Sequence, residues 1–203
     1  MFVISFTANG NLLSQWRFYC QNGKGVSFGF SPKNLVASAQ QQSFQIGQCI
    51  YDIKQQKGLI TDLLNHIEML AKEQGENTDT GKRHPSQSFH DVFESVELYL
   101  LKFSALMKNP HFQEEQEWRL ISDIFPNYEE APIDYREGHS FLIPYIKFNL
   151  PEAKDRAIDI EAVNLGSTPN IDIAMQSISM FLSKRHASPR QGIYNSGVPY
   201  RTW

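Results

Sequence analysis

Cysteine is scarce: the 203 residues hold only Cys20 and Cys49, far apart and outside any Cys-x-x-Cys pattern. A disulfide framework is therefore not expected, and a reducing compartment is the natural reading. Long apolar runs are missing too. The longest, Phe141 to Phe148, is interrupted by Pro144 and Lys147 and is too short to span a bilayer. The opening Met1-Phe2-Val3-Ile4-Ser5-Phe6 has no basic n-region, so it does not read as a signal peptide. Cytoplasmic localisation without a membrane partner is the expectation. Positive charge is not in excess either, since 19 Lys and Arg against 22 Asp and Glu leave a net charge of −3. That sign and size speak against a nucleic-acid partner. The six histidines show no His-Glu-x-x-His and no clustering with cysteine, so no metal site is expected. No partner or oligomeric state can be read from the residues.

The chain is nevertheless well supplied for folding. An apolar fraction of 41% excludes global disorder, and 14 Phe with 8 Tyr point to a core built on rings. At this length a single domain is the simplest organisation. Phe2 to Thr7 reads as a strand, ended by Asn9-Gly10, and Leu12, Trp16 and Tyr19 share one face of a short helix. Val26, Phe28 and Phe30 alternate with small residues at the strand period. Ser31-Pro32 opens a brief helical turn. Phe44 to Ile53 is read as a further strand.

From Gln55 to about Gln74 the apolar residues recur as on an amphipathic helix, and a second such helix runs from Phe89 to Met107, stopped by Asn109-Pro110. The polar stretch Gln74 to Ser88 between them reads as a mobile loop. Residues 54–109 are thus expected to form an αα-hairpin inserted between strands. Strands follow around Trp118 to Ile124, at Ile133 to Arg136 and Phe141 to Leu150 about a Glu137-Gly138-His139 turn, and at Ile158 to Val163. Thr168-Pro169 opens a C-terminal helix that ends in Lys184, Arg185 and His186, and a strand-like tail runs from Ile193 to Trp203. Without a regular βαβ alternation, the fold class is α+β, with a mixed, mainly antiparallel sheet, the inserted αα-hairpin and the C-terminal helix.

Gly25-Val26-Ser27-Phe28-Gly29 matches the Gly-x-Ser-x-Gly nucleophile pattern. That chemistry needs the serine on a sharp strand-to-helix turn, whereas Ser27 sits inside an alternating strand. The hydrolase reading fails there. The most informative stretch is Glu115-Gln116-Glu117-Trp118-Arg119. On a strand, Glu115, Glu117 and Arg119 share one face, and Trp118 with Leu120 points to the other as a core anchor. Over a cleft, two carboxylates beside a guanidinium could act as base or charge stabiliser. The alternative is a solvated face whose charges pair across the sheet. Trp16-Arg17 with Tyr19, Tyr135-Arg136 and Tyr200-Arg201 join arginine to aromatic rings, which suits planar or phosphate-bearing ligands.

Several stretches, in order, carry a resemblance: Ser5-Phe6-Thr7, Leu13-Ser14-Gln15-Trp16-Arg17-x-Tyr19, Gly23-x-Gly25-Val26-x-x-Gly29-Phe30, Glu115-x-Glu117-Trp118-Arg119, Ile143-Pro144-Tyr145 and Ser196-Gly197-Val198-Pro199-Tyr200-Arg201. Together they resemble a bacterial family, domain of unknown function 2971, over essentially the whole chain. The resemblance implies a further opening segment with a His-Tyr-Thr-like strand, so this chain is read as an N-terminally truncated member. That opening is similar to the start of ADP-ribosyltransferase-like folds, in which a later glutamate completes an NAD site. Glu117 would then polarise the ribose with Glu115 as helper. Arg17, Ser27, Arg119, Tyr200 and Arg201 would contact phosphate or ribose, and NAD is the cofactor implied. The functional expectation is an incomplete ADP-ribosyltransferase-like nucleotide-binding domain. The alternative is a non-catalytic interaction module of a bacterial defence or toxin–antitoxin system.

Overall fold

A computed structural model of the chain describes residues 1–20, 25–77, 85–153 and 157–198. Strand β1 (Val3–Thr7) leads into helix α1 (Leu13–Tyr19), then β2 (Val26–Gly29), α2 (Pro32–Gln41) and β3 (Gln45–Gln48). Two long helices follow, α3 (Ile53–Asn77) and α4 (Pro85–Ser104), then β4 (Glu117–Ile121) after a short 3-10 turn over Pro110–Glu115. The last part comprises β5 (Asp134–Glu137), β6 (Leu142–Tyr145), β7 (Ala162–Leu165), α5 (Ile171–Lys184) and β8 (Gly192–Asn195). The fold is α+β. Its strands divide among three small sheets instead of one, ordered β1-β4-β3, β2-β7-β8 and β5-β6. All the pairings are antiparallel except β7 with β8.

The first sheet is covered on both faces, and this positions the site. Antiparallel register sets Ile4 beside Leu120, Phe6 beside Trp118 and Ile46 beside Leu120. On that face Leu120 is fully buried with Leu35, Ala39 and Phe44, against Ile4, Phe6, Ile46 and Phe148. Leu35 and Ala39 are four residues apart, so one stripe of α2 meets the sheet. On the other face lies the return end of the α3–α4 hairpin. Adding a Cβ to Gly47 would put it 2.8 Å from Leu106, so the bare glycine lets that turn approach β3. The hairpin holds together through buried Ile67, Ala71 and Val92. In the chain it lies between β3 and β4, which are neighbours in the sheet. The second sheet packs Val163 and Leu165 on Leu182 of α5. An edge-to-face contact of Phe6 with Phe30, ring centroids 6.3 Å apart, joins the two sheets.

Several expectations are corrected. The turn expected at Ser31-Pro32 is a three-turn helix, because Leu35 and Ala39 find the sheet despite the polar residues around them. Ile53 is helical and not strand, since Asp52 caps α3 by accepting the Gln55 N–H at 2.7 Å. The hairpin helices run to Asn77 and from Pro85, so both ends of the expected Gln74 to Ser88 loop are helical. Glutamate and glutamine propagate α3 without needing an apolar anchor, and Pro85 suits a first helical turn. Residues 78–84 lie outside the described residues. The strand expected at Ile158 to Val163 begins instead at Ala162, where Val163 and Leu165 are buried while Ile158 is exposed. The strand expected over Phe141 to Leu150 is confined to Leu142–Tyr145, and the tail from Ile193 forms β8 only as far as Asn195. Among the described residues, no helix is long and apolar enough to cross a membrane.

Trp118 is a further correction. It is 39% exposed, and Leu120 is the anchor on that face. Leu120→Ala is expected to cost about 2–5 kcal/mol in urea denaturation, as for other large-to-small core changes. Trp118→Ala should cost clearly less in the same measurement.

Candidate functional site

The acidic stretch is built in two pieces. Asn109 caps the 3-10 turn by accepting the His111 N–H at 3.0 Å, and Pro110 takes the first position, where its missing N–H costs nothing. The turn ends at Glu115, so this residue is not on the strand. Gln116 then adopts left-handed geometry, with φ 43° and ψ 50°, and swings the chain into β4. Ala8 donates its N–H to the Gln116 carbonyl at 3.2 Å, and Thr7 Oγ1 donates to the Glu115 carbonyl at 2.6 Å. These bonds hold the bend against β1.

Glu115 and Glu117 are brought together by a residue that the sequence did not single out. Lys108 Nζ donates to Oε2 of both carboxylates. Its main chain is pinned where the hairpin returns: Lys108 N–H donates to the Ile50 carbonyl at 3.1 Å, and Gln56 Nε2 donates to the Lys108 carbonyl at 2.9 Å. The Lys108 ammonium also sits 5.1 Å from the Phe112 ring centroid. Arg119 Nε donates to Glu117 Oε1 at 2.9 Å, and its Nη1 donates to the Ala105 carbonyl. The Glu117 N–H donates to Tyr51 Oη at 2.8 Å. Two carboxylates and two cations leave this cluster without net charge.

Glu117 is only 5% exposed, so at this residue the face is buried and ion-paired, not solvated as in the alternative reading. Burial pushes the Glu117 carboxyl up, but hydrogen bonds from Arg119, Lys108 and Ser5 outweigh it and hold the group down at about 2. Lys108 is pushed down by burial and up by its bonds to Glu115 and Glu117, with a net rise. Burial also raises the Cys49 thiol and the Tyr51 hydroxyl beside them. A carboxylate ionised this firmly is a poor proton acceptor near neutrality. It remains a fixed anion and a hydrogen-bond acceptor.

The cluster opens into a cleft of about 360 Å³ lined by Ser5, Phe6, Thr7, Gln15, Tyr19, Lys108, Glu115 and Glu117. Helix α1 supplies Gln15 and Tyr19, four residues apart on one face. Arg17 falls between them and on the opposite side, exposed and off the cleft, because residues two apart on a helix face away from each other. Ser27 belongs to the second sheet, paired with Asn164 and facing Gly10, where an added Cβ would meet its Oγ at 2.9 Å. Tyr200 and Arg201 lie outside the described residues. Of the expected set, Glu115, Glu117 and Arg119 meet, and Arg17 and Ser27 do not join them. Lys108, Tyr51 and Ser5 were missed. Of these, only Ser5, in the Ser5-Phe6-Thr7 stretch that carries the family resemblance, had a signal in the sequence.

The fold is α+β, with a charged seam where the first sheet meets the helical hairpin. A family model, Protein of unknown function (DUF2971), matches residues 15–120, which is just over half of the chain. The chain belongs to that family. The matched span runs from α1 to β4 and includes Lys108, Glu115, Glu117 and Arg119. No curated protein and no solved structure matches the chain.

Glu117→Gln is expected to destabilise the fold by about 3–5 kcal/mol, because it leaves Lys108 and Arg119 partly unpaired at a buried position. The sign with pH follows from the depressed carboxyl. The Glu117 contribution is complete above 4.5, its ordinary value, and is lost as pH falls toward about 2. Urea midpoints measured across that window should fall in the native protein and change less in Glu117→Gln.

Proposed function

We propose that this chain is a nucleotide-binding domain, an incomplete relative of ADP-ribosyltransferase-like domains, whose cleft takes the ribose of NAD or ADP-ribose without turning it over. The observation that carries the reading is the convergence of Glu115 and Glu117 on one cleft with the side chains of Ser5 and Thr7. Carboxylates and hydroxyls at that density suit a ligand rich in hydroxyl donors. The cleft volume suits a sugar ring and part of a base more than a whole dinucleotide. Tyr19, 79% exposed at the rim, offers a face for stacking. Binding without turnover is favoured by the firmly ionised Glu117, which is engaged by Lys108 and Arg119. Arg17 has no part in this proposal. Any contact from Tyr200 or Arg201 lies beyond the described residues.

A second reading, a non-catalytic interaction module of the kind used in bacterial defence or toxin–antitoxin systems, is favoured by exposed Ile60, Leu64 and Phe93 on the helical hairpin. Hydrogen exchange with candidate partners tests it, and no protection on α3 or α4 counts against it.

For the nucleotide reading, calorimetry with NAD and with ADP-ribose should show saturable heat, and Glu115→Gln should weaken binding by about tenfold, the worth of one charge-assisted hydrogen bond. Absence of heat at millimolar ligand would remove the reading.

A further inference from the structure

Strand β1 is the outer strand of the first sheet, paired with β4 alone. The ladder fixes which of its main-chain groups are used. The Phe2 carbonyl accepts the Ser122 N–H at 3.0 Å and the Ala8 N–H donates to Gln116, so residues 2, 4, 6 and 8 face β4. Val3, Ser5 and Thr7 therefore turn their N–H and C=O groups outward. Among the described residues, none hydrogen-bonds those groups. The opposite edge of the sheet is treated differently, because Ile50, just beyond β3, exchanges hydrogen bonds with Leu106 and Lys108 of the hairpin return.

Natural edges are blunted by lysine, proline, bulges or inward charges. Met1-Phe2-Val3-Ile4-Ser5-Phe6-Thr7 has no charged side chain and no proline, β1 pairs in unbroken register, and Val3 is 42% exposed. The outward positions are also self-complementary. In an antiparallel pairing centred on Ser5, Val3 meets the partner's Thr7 and Ser5 meets the partner's Ser5. Each such pair exchanges two main-chain hydrogen bonds. The same register sets Ile4 beside the partner's Phe6, extending the apolar face of the sheet. The charged cluster nearest the edge is neutral overall, so two copies do not repel there.

We infer that β1 is an association edge whose occupant is a second copy of this chain, joined antiparallel about a two-fold axis through Ser5 into a continuous six-stranded sheet. An isologous pairing closes on itself and stops at the dimer. The inference does not depend on what the cleft binds. Sedimentation velocity over a concentration series of the full chain should show mass-action dimerisation to twice the 23.3 kDa chain mass. Val3→Pro removes one outward donor and leaves the β1–β4 ladder intact, as proline is tolerated on the open side of an edge strand. It should raise the dimer Kd by about tenfold or more, with the far-UV circular dichroism unchanged. Val3→Lys, which sets a charge on the edge, should do the same and carries the test if the proline variant fails to fold. A chain that stays monomeric at every concentration, or a dimer whose Kd neither variant changes, overturns the inference.

Discussion

A carboxylate buried at the seam between a sheet and a helical hairpin sets the terms for the rest of the molecule. Glu117 enters a position where an unpaired charge would cost several kcal/mol, so the fold is committed to supplying cations there. One comes from its own strand, two residues on, and the other from the far end of a long excursion through α3 and α4. Apolar contacts such as Leu106 over Gly47 tolerate some sliding, whereas hydrogen-bonded ions fix direction as well as distance. The hairpin is thus docked by charge as well as by burial. Arg119, which bonds both Glu117 and the Ala105 carbonyl, joins the two requirements in one side chain.

The same commitment limits the chemistry open to the cleft. Two anions and two cations cancel, so the site has no surplus charge with which to attract phosphate. Lys108, the cation nearest the opening, is shared by both carboxylates. What remains is acceptor capacity, since the hydroxyls of Thr7 and Ser5 already donate to the Glu115 carbonyl and to Glu117, and this favours recognition of hydroxyl groups over proton transfer. A proton acceptor matched to neutral pH needs a carboxyl raised by burial without compensating donors. Here the donors win.

Much of this was legible in the residues, though not always for the right reason. The 3.6-residue period marked the hairpin helices and α5, and the alternation around Phe28 marked β2, because each element buries one face. The grouping of Glu117 with Arg119 also followed from alternation. Alternation states that two faces differ, however, and not which is better covered. The first sheet is packed on both sides, so an ion-paired face became the more buried one at Glu117 and left Trp118 part-exposed. Helix α2 was underestimated because only Leu35 and Ala39 mark its buried stripe among polar neighbours. Arg17 sits two residues from each of the cleft residues Gln15 and Tyr19 in sequence and across the helix from them in space. Lys108 could not be assigned a partner, because its position depends on where two helices of unknown length return.

The two edges of the first sheet show how the fold distributes its polar groups. At β3 the main chain is continued by the hairpin return, and the ion network grows from that closed side. At β1 the strand is uncharged and its outer groups are open among the described residues. Ser5 and Thr7 belong to both regions: their side chains line the cleft with the carboxylates, while their main-chain groups face outward. A strand added along β1 therefore becomes a wall of the cleft, and a ligand that orders Ser5 or Thr7 stiffens the edge. Linkage makes any such coupling reciprocal, so an occupant of the edge changes ligand affinity by the factor with which the ligand changes association. Ser5 and Thr7 thus tie the cleft and the edge together within one five-residue strand.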